Sequence, residues 1–160
     1  SMTMTYRSEY QEADIETPPV QLVQEFIAKH LVEGRVSTTR PVKRFRLLAH
    51  CTEATNAKES LDLWKPIFAM AGHSMDIESV GCCGMAGTYG HEAANVETSK
   101  QIYAQSWQPK VETSLESDVE ILATGFSCRA QVKRYSNQRI KHPVSALSEV
   151  LASAADRQQA

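Results

Sequence analysis

No run of eighteen apolar residues occurs in the chain, so the sequence offers no segment able to cross a bilayer as a helix. Neither charge sign is in excess: 17 Lys and Arg face 19 Asp and Glu, a net charge of −2, which gives no basic surface for nucleic acid. Gly-x-Gly-x-x-Gly and P-loop patterns are absent, which removes the usual nucleotide-binding turns. No ordered set of Ser, His and Asp stands out as a nucleophilic triad. Cysteine is scarce too. Four in 160 residues are too few for a disulfide scaffold, and no Cys-x-x-Cys redox motif is found among them. The opening residues are polar and do not read as a signal peptide, and Ser1-Met2 reads as a tag remnant. The expected setting is cytoplasmic and reducing, with a peripheral position at the inner face of the membrane left open.

What remains is enough for one domain with a real core: 160 residues, of which 42% are hydrophobic. Residues 1–19 are polar, end in Pro18-Pro19 and read as tag remnant and linker. Residues 20–155 read as a single domain, and 156–160 as a polar tail. Val20 to Leu31 carries Leu22 with Phe26, and Val23 with Ile27 and Leu31, at helical spacing, with Gly34 as the stop. A Thr/Arg/Pro loop precedes Phe45 to Ala49, a short apolar strand. Leu61, Trp64, Phe68 and Ala71 mark a helix that Gly72 closes and that Pro66 kinks or restarts. Ser74 to Val80 alternates as a half-exposed strand. A helix is expected from about Glu92 to Ser106, a loop over 108–117, and the most apolar strand over Val119 to Ala123. Helices over Arg129 to Ser136 and Val144 to Ala155 complete the chain. There is no internal repeat.

Three alternations of strand and helix predict an α/β fold: a small three-layer domain with a short parallel sheet of three to four strands and flanking helices. Cys51 follows the first strand, Cys82 and Cys83 the second, and Cys128 the third. Parallel strands bring their C-terminal ends to one edge, where open α/β sheets bind ligands. All four cysteines should therefore meet there.

Cys82-Cys83-Gly84 is the most informative element. Adjacent cysteines do not readily bond to each other, because a vicinal disulfide strains the intervening peptide, but two neighbouring thiolates can grip a metal group from two directions. Thiolates are the soft ligands of iron–sulfur clusters and of zinc. Gly81, Gly84, Gly87, Gly90 and Gly125 can present backbone N–H groups to sulfur, and helix N-termini aimed at the site favour the deprotonated form. Arg129, Lys133, Arg134, Arg139 and Lys141 gather near the last cysteine, and Arg129 is the one adjacent to it. His50 abuts Cys51, His91 follows the glycine-rich loop and His142 precedes Pro143; each is a candidate to support the site from beside the cysteines. His30 and His73 are expected at the surface or at helix ends.

Four stretches together carry a family resemblance: His50-Cys51-Thr52-Glu53, Gly81-Cys82-Cys83-Gly84-Met85-Ala86-Gly87, Thr124-Gly125-Phe126-Ser127-Cys128-Arg129 and His142-Pro143. Roughly residues 43–151 resemble the cysteine-rich CCG domain of heterodisulfide reductase and glycolate oxidase subunits. They look most like the version at the C-terminus of large FAD-linked oxidases of the D-2-hydroxyglutarate dehydrogenase type. The resemblance implies an iron–sulfur cluster, [4Fe–4S] in many members and zinc in others, on Cys51, Cys82, Cys83 and Cys128. The family's final Cys-x-x-Cys would place another cysteine at position 125, where this chain has Gly125; that departure counts against a five-cysteine cluster. The resemblance also implies FAD elsewhere in a parent protein, not bound here, and the parent's flavin and ferredoxin-like domains as partners. The electron acceptor stays open. A metal-free or zinc-holding docking module is the alternative, and thiol–disulfide chemistry ranks last.

Overall fold

The computed structural model describes residues 2–31, 41–115 and 117–155. Gly34, most of the Thr/Arg/Pro loop and the tail 156–160 lie outside the described residues. Strands form where branched and aromatic residues alternate. They are β1 (Arg44–Leu48), β2 (Ser74–Glu78) and β3 (Val119–Ala123), all parallel, in the order β2-β1-β3. Phe45 is level with Met75 on one side and Glu120 on the other, and Leu48 with Glu78 and Ala123. Beyond β3, the Ala123 N–H donates to the Lys141 carbonyl at 3.0 Å, which adds one bridging residue to that edge.

Side-chain alternation sends the strands into two cores. Phe45, Leu47 and Leu122 join Trp64, Ile67, Phe68 and Leu147 on one face. Leu48, Ile121 and Ala123 join Tyr103, Trp107 and Val132 on the other. The sheet is thus covered on both sides, the three-layer arrangement its apolar pattern predicts. The first face holds α3 (Val23–His30), α5 (Lys58–Asp62), α6 (Trp64–Met70) and α10 (Pro143–Ala155). The second holds α7 (Val96–Ser106), α8 (Gln108–Leu115) and α9 (Phe126–Ser136). Short helices α1 (Met2–Arg7) and α2 (Glu9–Glu12) occupy the stretch expected as linker, and Arg7 forms a two-pronged ion pair with Glu25 of α3. α4 (Cys51–Asn56) starts directly after β1.

Differences from the sequence reading have local causes. The helix around Trp64 begins in two pieces: α5 ends at Asp62, and Pro66 sits in the first turn of α6, where its missing N–H costs nothing. The stretch 108–117, expected as loop, is mostly α8. Pro109 stands in its first turn, Val111 is buried on the core, and the Thr113 and Ser114 hydroxyls bond back to the Pro109 and Val111 carbonyls. The helix expected from Glu92 begins at Val96, after two short 3₁₀ turns at Tyr89–His91 and Ala93–Asn95. His73, expected at the surface or at a helix end, lies just past the end of α6 but is buried, and its Nδ1 accepts the Lys43 N–H at 3.1 Å. No described helix is long and apolar enough to cross a membrane.

Candidate functional site

The order β2-β1-β3 makes the chain switch direction beside β1, so a crevice opens outside the carboxyl ends of the strands. Each strand delivers cysteine to that edge. Cys51 is the first residue of α4 and is exposed. Cys82 is half-buried and Cys83 is buried, both after β2. Cys128 is buried in the first turn of α9, at 2% exposure, and begins the buried stripe Cys128, Gln131, Val132. All four are free thiols.

The Gly81–Gly84 segment is pinned from behind by four side chains. Trp107 Nε1 donates to the Gly81 carbonyl at 3.0 Å and Ser106 Oγ to Cys82 O at 2.8 Å. Gln131 Nε2 donates to Cys83 O at 2.9 Å, and Ser99 Oγ to Gly84 O at 2.8 Å. Four consecutive carbonyls are thereby occupied by α7, the Trp107 cap and α9. The amides serve the sulfurs instead: Gly84 N–H donates to Cys82 Sγ at 3.3 Å, and the Met85 amide stabilises the Cys83 thiolate. Gly84 makes the turn at φ +85°, and its Cα faces the Ser99 carbonyl so closely that no side chain fits.

The sulfurs act on one another in two pairs, Cys83 with Cys128 and Cys82 with Cys51. The partner sulfur lowers the Cys83 thiol and, together with burial, raises Cys128. Burial raises Cys82 as well, and the nearby Cys83 and Cys51 add to that. Cys51 also acts electrostatically on Cys128, so the two pairs sense each other. Among the described residues no three His, Cys, Asp or Glu side chains are grouped so as to hold a metal ion. The donor chemistry nevertheless fits a soft metal group. Four free thiols converge on one edge, and amide dipoles face the sulfurs of Cys82 and Cys83.

Of the candidate supporting residues, His50 is the N-cap of α4 and donates its backbone N–H to Thr124 Oγ1 at 3.1 Å, bridging β1 to β3. Burial holds its imidazole below the ordinary value. Arg129 Nη1 donates to the Ala123 and Thr124 carbonyls, both at 2.9 Å, so it fastens the end of β3. His142 caps α10: its Nδ1 accepts the Val144 N–H at 3.1 Å, and its ring meets the Trp64 ring edge-on. Burial and the nearby Arg129 hold it down at about 4. His91 is exposed, and among the described residues no hydrogen bond or ion pair joins its imidazole to a sulfur. Arg134 and Lys141 are engaged elsewhere, with the Gly90 carbonyl and with Glu120 and Glu149. A cleft of about 430 Å³ lies over the β1–β3 edge, with His50, Glu53, Gly125, Phe126 and His142 in its wall.

Sequence reasoning missed Ser99, Ser106 and Gln131. The signal was present in part: Ser99 and Ser106 fall on the same helical face as Tyr103 and Trp107, and Gln131 lies one turn after Cys128.

No protein-family model matches the chain, and no solved structure matches it. It is 47% identical over 146 residues to the D-2-hydroxyglutarate dehydrogenase of Pseudomonas putida, an alignment covering 90% of the chain and 14% of that protein. The D-2-hydroxyglutarate dehydrogenase of Escherichia coli is 40% identical over 154 residues, 94% of the chain and 15% of that protein. One of the subunits of the anaerobic glycerol-3-phosphate dehydrogenase of Escherichia coli is 26% identical over 137 residues, 83% of the chain and 33% of that polypeptide. The chain is thus homologous to one segment, about a seventh of the length, of D-2-hydroxyglutarate dehydrogenases.

Proposed function

We propose that this chain is the cysteine-rich domain of an FAD-linked D-2-hydroxy-acid dehydrogenase of the 2-hydroxyglutarate type. In this reading it holds an iron–sulfur cluster, [4Fe–4S], through Cys51, Cys82, Cys83 and Cys128. The observation that carries the reading is the delivery of four free thiols to one sheet edge by three separate strands. When bound, the cluster supplies a one-electron relay between the parent's flavin and an acceptor. The chain's own residues do the rest. Cys83 and Cys128 lie in the core, which keeps water from that side. Amides of Gly84 and Met85 favour thiolate at Cys82 and Cys83. Ser99, Ser106, Trp107 and Gln131 hold the Cys-Cys-Gly backbone in one conformation. Arg129 fixes the strand end that presents Cys128.

A second reading makes the domain a docking module whose thiols hold zinc or no metal; the absence of a ready three-ligand group among the described residues favours its metal-free form. One experiment separates the two. The protein is purified without air and analysed for iron, acid-labile sulfide, zinc and visible absorption. Matched iron and sulfide with a broad visible band supports the relay; zinc, which is colourless, or no metal supports docking.

A further inference from the structure

The cleft of about 430 Å³ over the β1–β3 edge has an apolar rim. Val23 and Phe126 line it at 42% and 80% exposure. Phe26, at 53%, follows Val23 by three residues on α3, so the two stand side by side on that helix. These are three of the five large apolar side chains left exposed among the described residues. Apolar side chains grouped around a cleft mark a surface that another body covers.

The wall of the cleft carries charge of one sign. Of the ten residues that line it, Glu53 is the one acid and none is Lys or Arg. Glu53 is held in place: its Oε1 accepts from Gln24 Nε2 at 2.7 Å, and the same nitrogen donates to Ser60 Oγ at 3.1 Å. Gln24 itself is buried, at 2% exposure. Among the described residues no Lys or Arg pairs with Glu53. Arg129 lies against the Phe126 ring, but its Nη1 donates to the Ala123 and Thr124 carbonyls. A carboxylate oriented by a buried amide, inside an apolar rim, complements a cation on an incoming surface. The relatives show where such a surface would come from. Alignments over 90% and 94% of this chain cover 14% and 15% of two D-2-hydroxyglutarate dehydrogenases, so about six-sevenths of those proteins lies outside the match.

We propose that the cleft is the docking socket for a segment of the parent dehydrogenase that lies outside this chain, one presenting an apolar side chain to Val23 and Phe126 and a Lys or Arg to Glu53. This rests on the reading of the chain as one domain of such a parent, and not on the metal. It deepens that reading by placing the contact at the sheet edge where the cysteines converge, rather than on either helix layer.

The test uses the full-length parent polypeptide, with photoreactive benzoylphenylalanine replacing Phe126. The control carries it in place of Asp118, exposed at the opposite end of β3. Irradiation should join position 126 to one peptide outside residues 1–160, a peptide containing an apolar residue and a Lys or Arg, and position 118 should give no such product. Glu53→Lys should lose the link through like-charge repulsion, and reversing the partner cation to Glu in that variant should restore it. No link from position 126, a link to a second copy of the protein, equal links from both positions, or a link indifferent to Glu53→Lys overturns the proposal. Failure of the underlying reading looks different: the native polypeptide then has a mass near 17.8 kDa, with no parent segment to dock, and the proposal falls with it.

Discussion

Replacing Gly84 with alanine tests the geometry of the Cys-Cys-Gly turn, and Gly87→Ala is its internal control. Both glycines adopt left-handed backbone, at φ +85° and +68°. Alanine in that region costs about 1–2 kcal/mol, partly offset by about 0.4–1 kcal/mol of lost freedom in the unfolded chain. At Gly87 nothing lies within 4 Å of the added methyl, so the net cost stays near 1 kcal/mol. At Gly84 the methyl would sit 2.3 Å from the Ser99 carbonyl oxygen, a backbone atom of α7 that cannot rotate away. The loop must lift off the helix. That breaks the Ser99–Gly84 bond at 2.8 Å and loosens the Gln131 bonds to Cys83 and Ser99, each at 2.9 Å. A buried polar group left unpaired costs about 1–3 kcal/mol. The total for Gly84→Ala is therefore about 4 kcal/mol, out of a typical stability of about 5–15 kcal/mol. Urea denaturation followed by far-ultraviolet circular dichroism, with a chelator and a thiol reductant present, measures both variants. Equal costs within about 0.5 kcal/mol would refute the packing argument, because conformational strain alone predicts equality.

Further outcomes follow from other contacts. Gln131→Leu keeps the volume but strips the donor from the Cys83 carbonyl and from Ser99; denaturation should show a loss of about 1–3 kcal/mol. His142 has its folded pKa depressed to about 4 from 6.5, so the unfolded chain binds more protons between those values and stability falls as pH drops from 6.5 toward 4. His142→Asn retains a capping side chain, and its urea midpoint should lose this part of the pH dependence; parallel curves for both proteins would contradict the assignment. Glu25 is held at about 2 by Arg7, so the pair contributes stability above the ordinary carboxylate value of 4.5, lost as pH falls toward 2. Arg7→Ala should cost about 1 kcal/mol at neutral pH and much less near pH 2, read by the same titration.

The sheet and the meeting of the cysteines were legible because they depend on two robust patterns. The apolar runs Phe45-Arg46-Leu47-Leu48-Ala49 and Ile121-Leu122-Ala123 mark strands buried on both faces, and parallel strands must bring Cys51, Cys82, Cys83 and Cys128 to one edge. The helix α8 was not legible, because Pro109 and the Thr113-Ser114 pair read as loop residues and only the burial of Val111 overrides them. Polar support for the loop was hidden for a related reason. Ser99 and Gln131 look like solvent-facing residues until the loop carbonyls they serve are known to lie beneath them. The cleft shared by His50 and Gly125 depends on β1 lying beside β3, which their positions in the chain, 75 residues apart, do not disclose.

The central claim is that Cys82 and Cys83 hold a metal group with Cys51 and Cys128. Iron and acid-labile sulfide per chain, measured on anaerobically purified wild type and on the single variants Cys82→Ser and Cys83→Ser, tests it most directly. The account predicts matched iron and sulfide in wild type and their loss in both variants, with circular dichroism unchanged. Full iron and sulfide in either serine variant would contradict it.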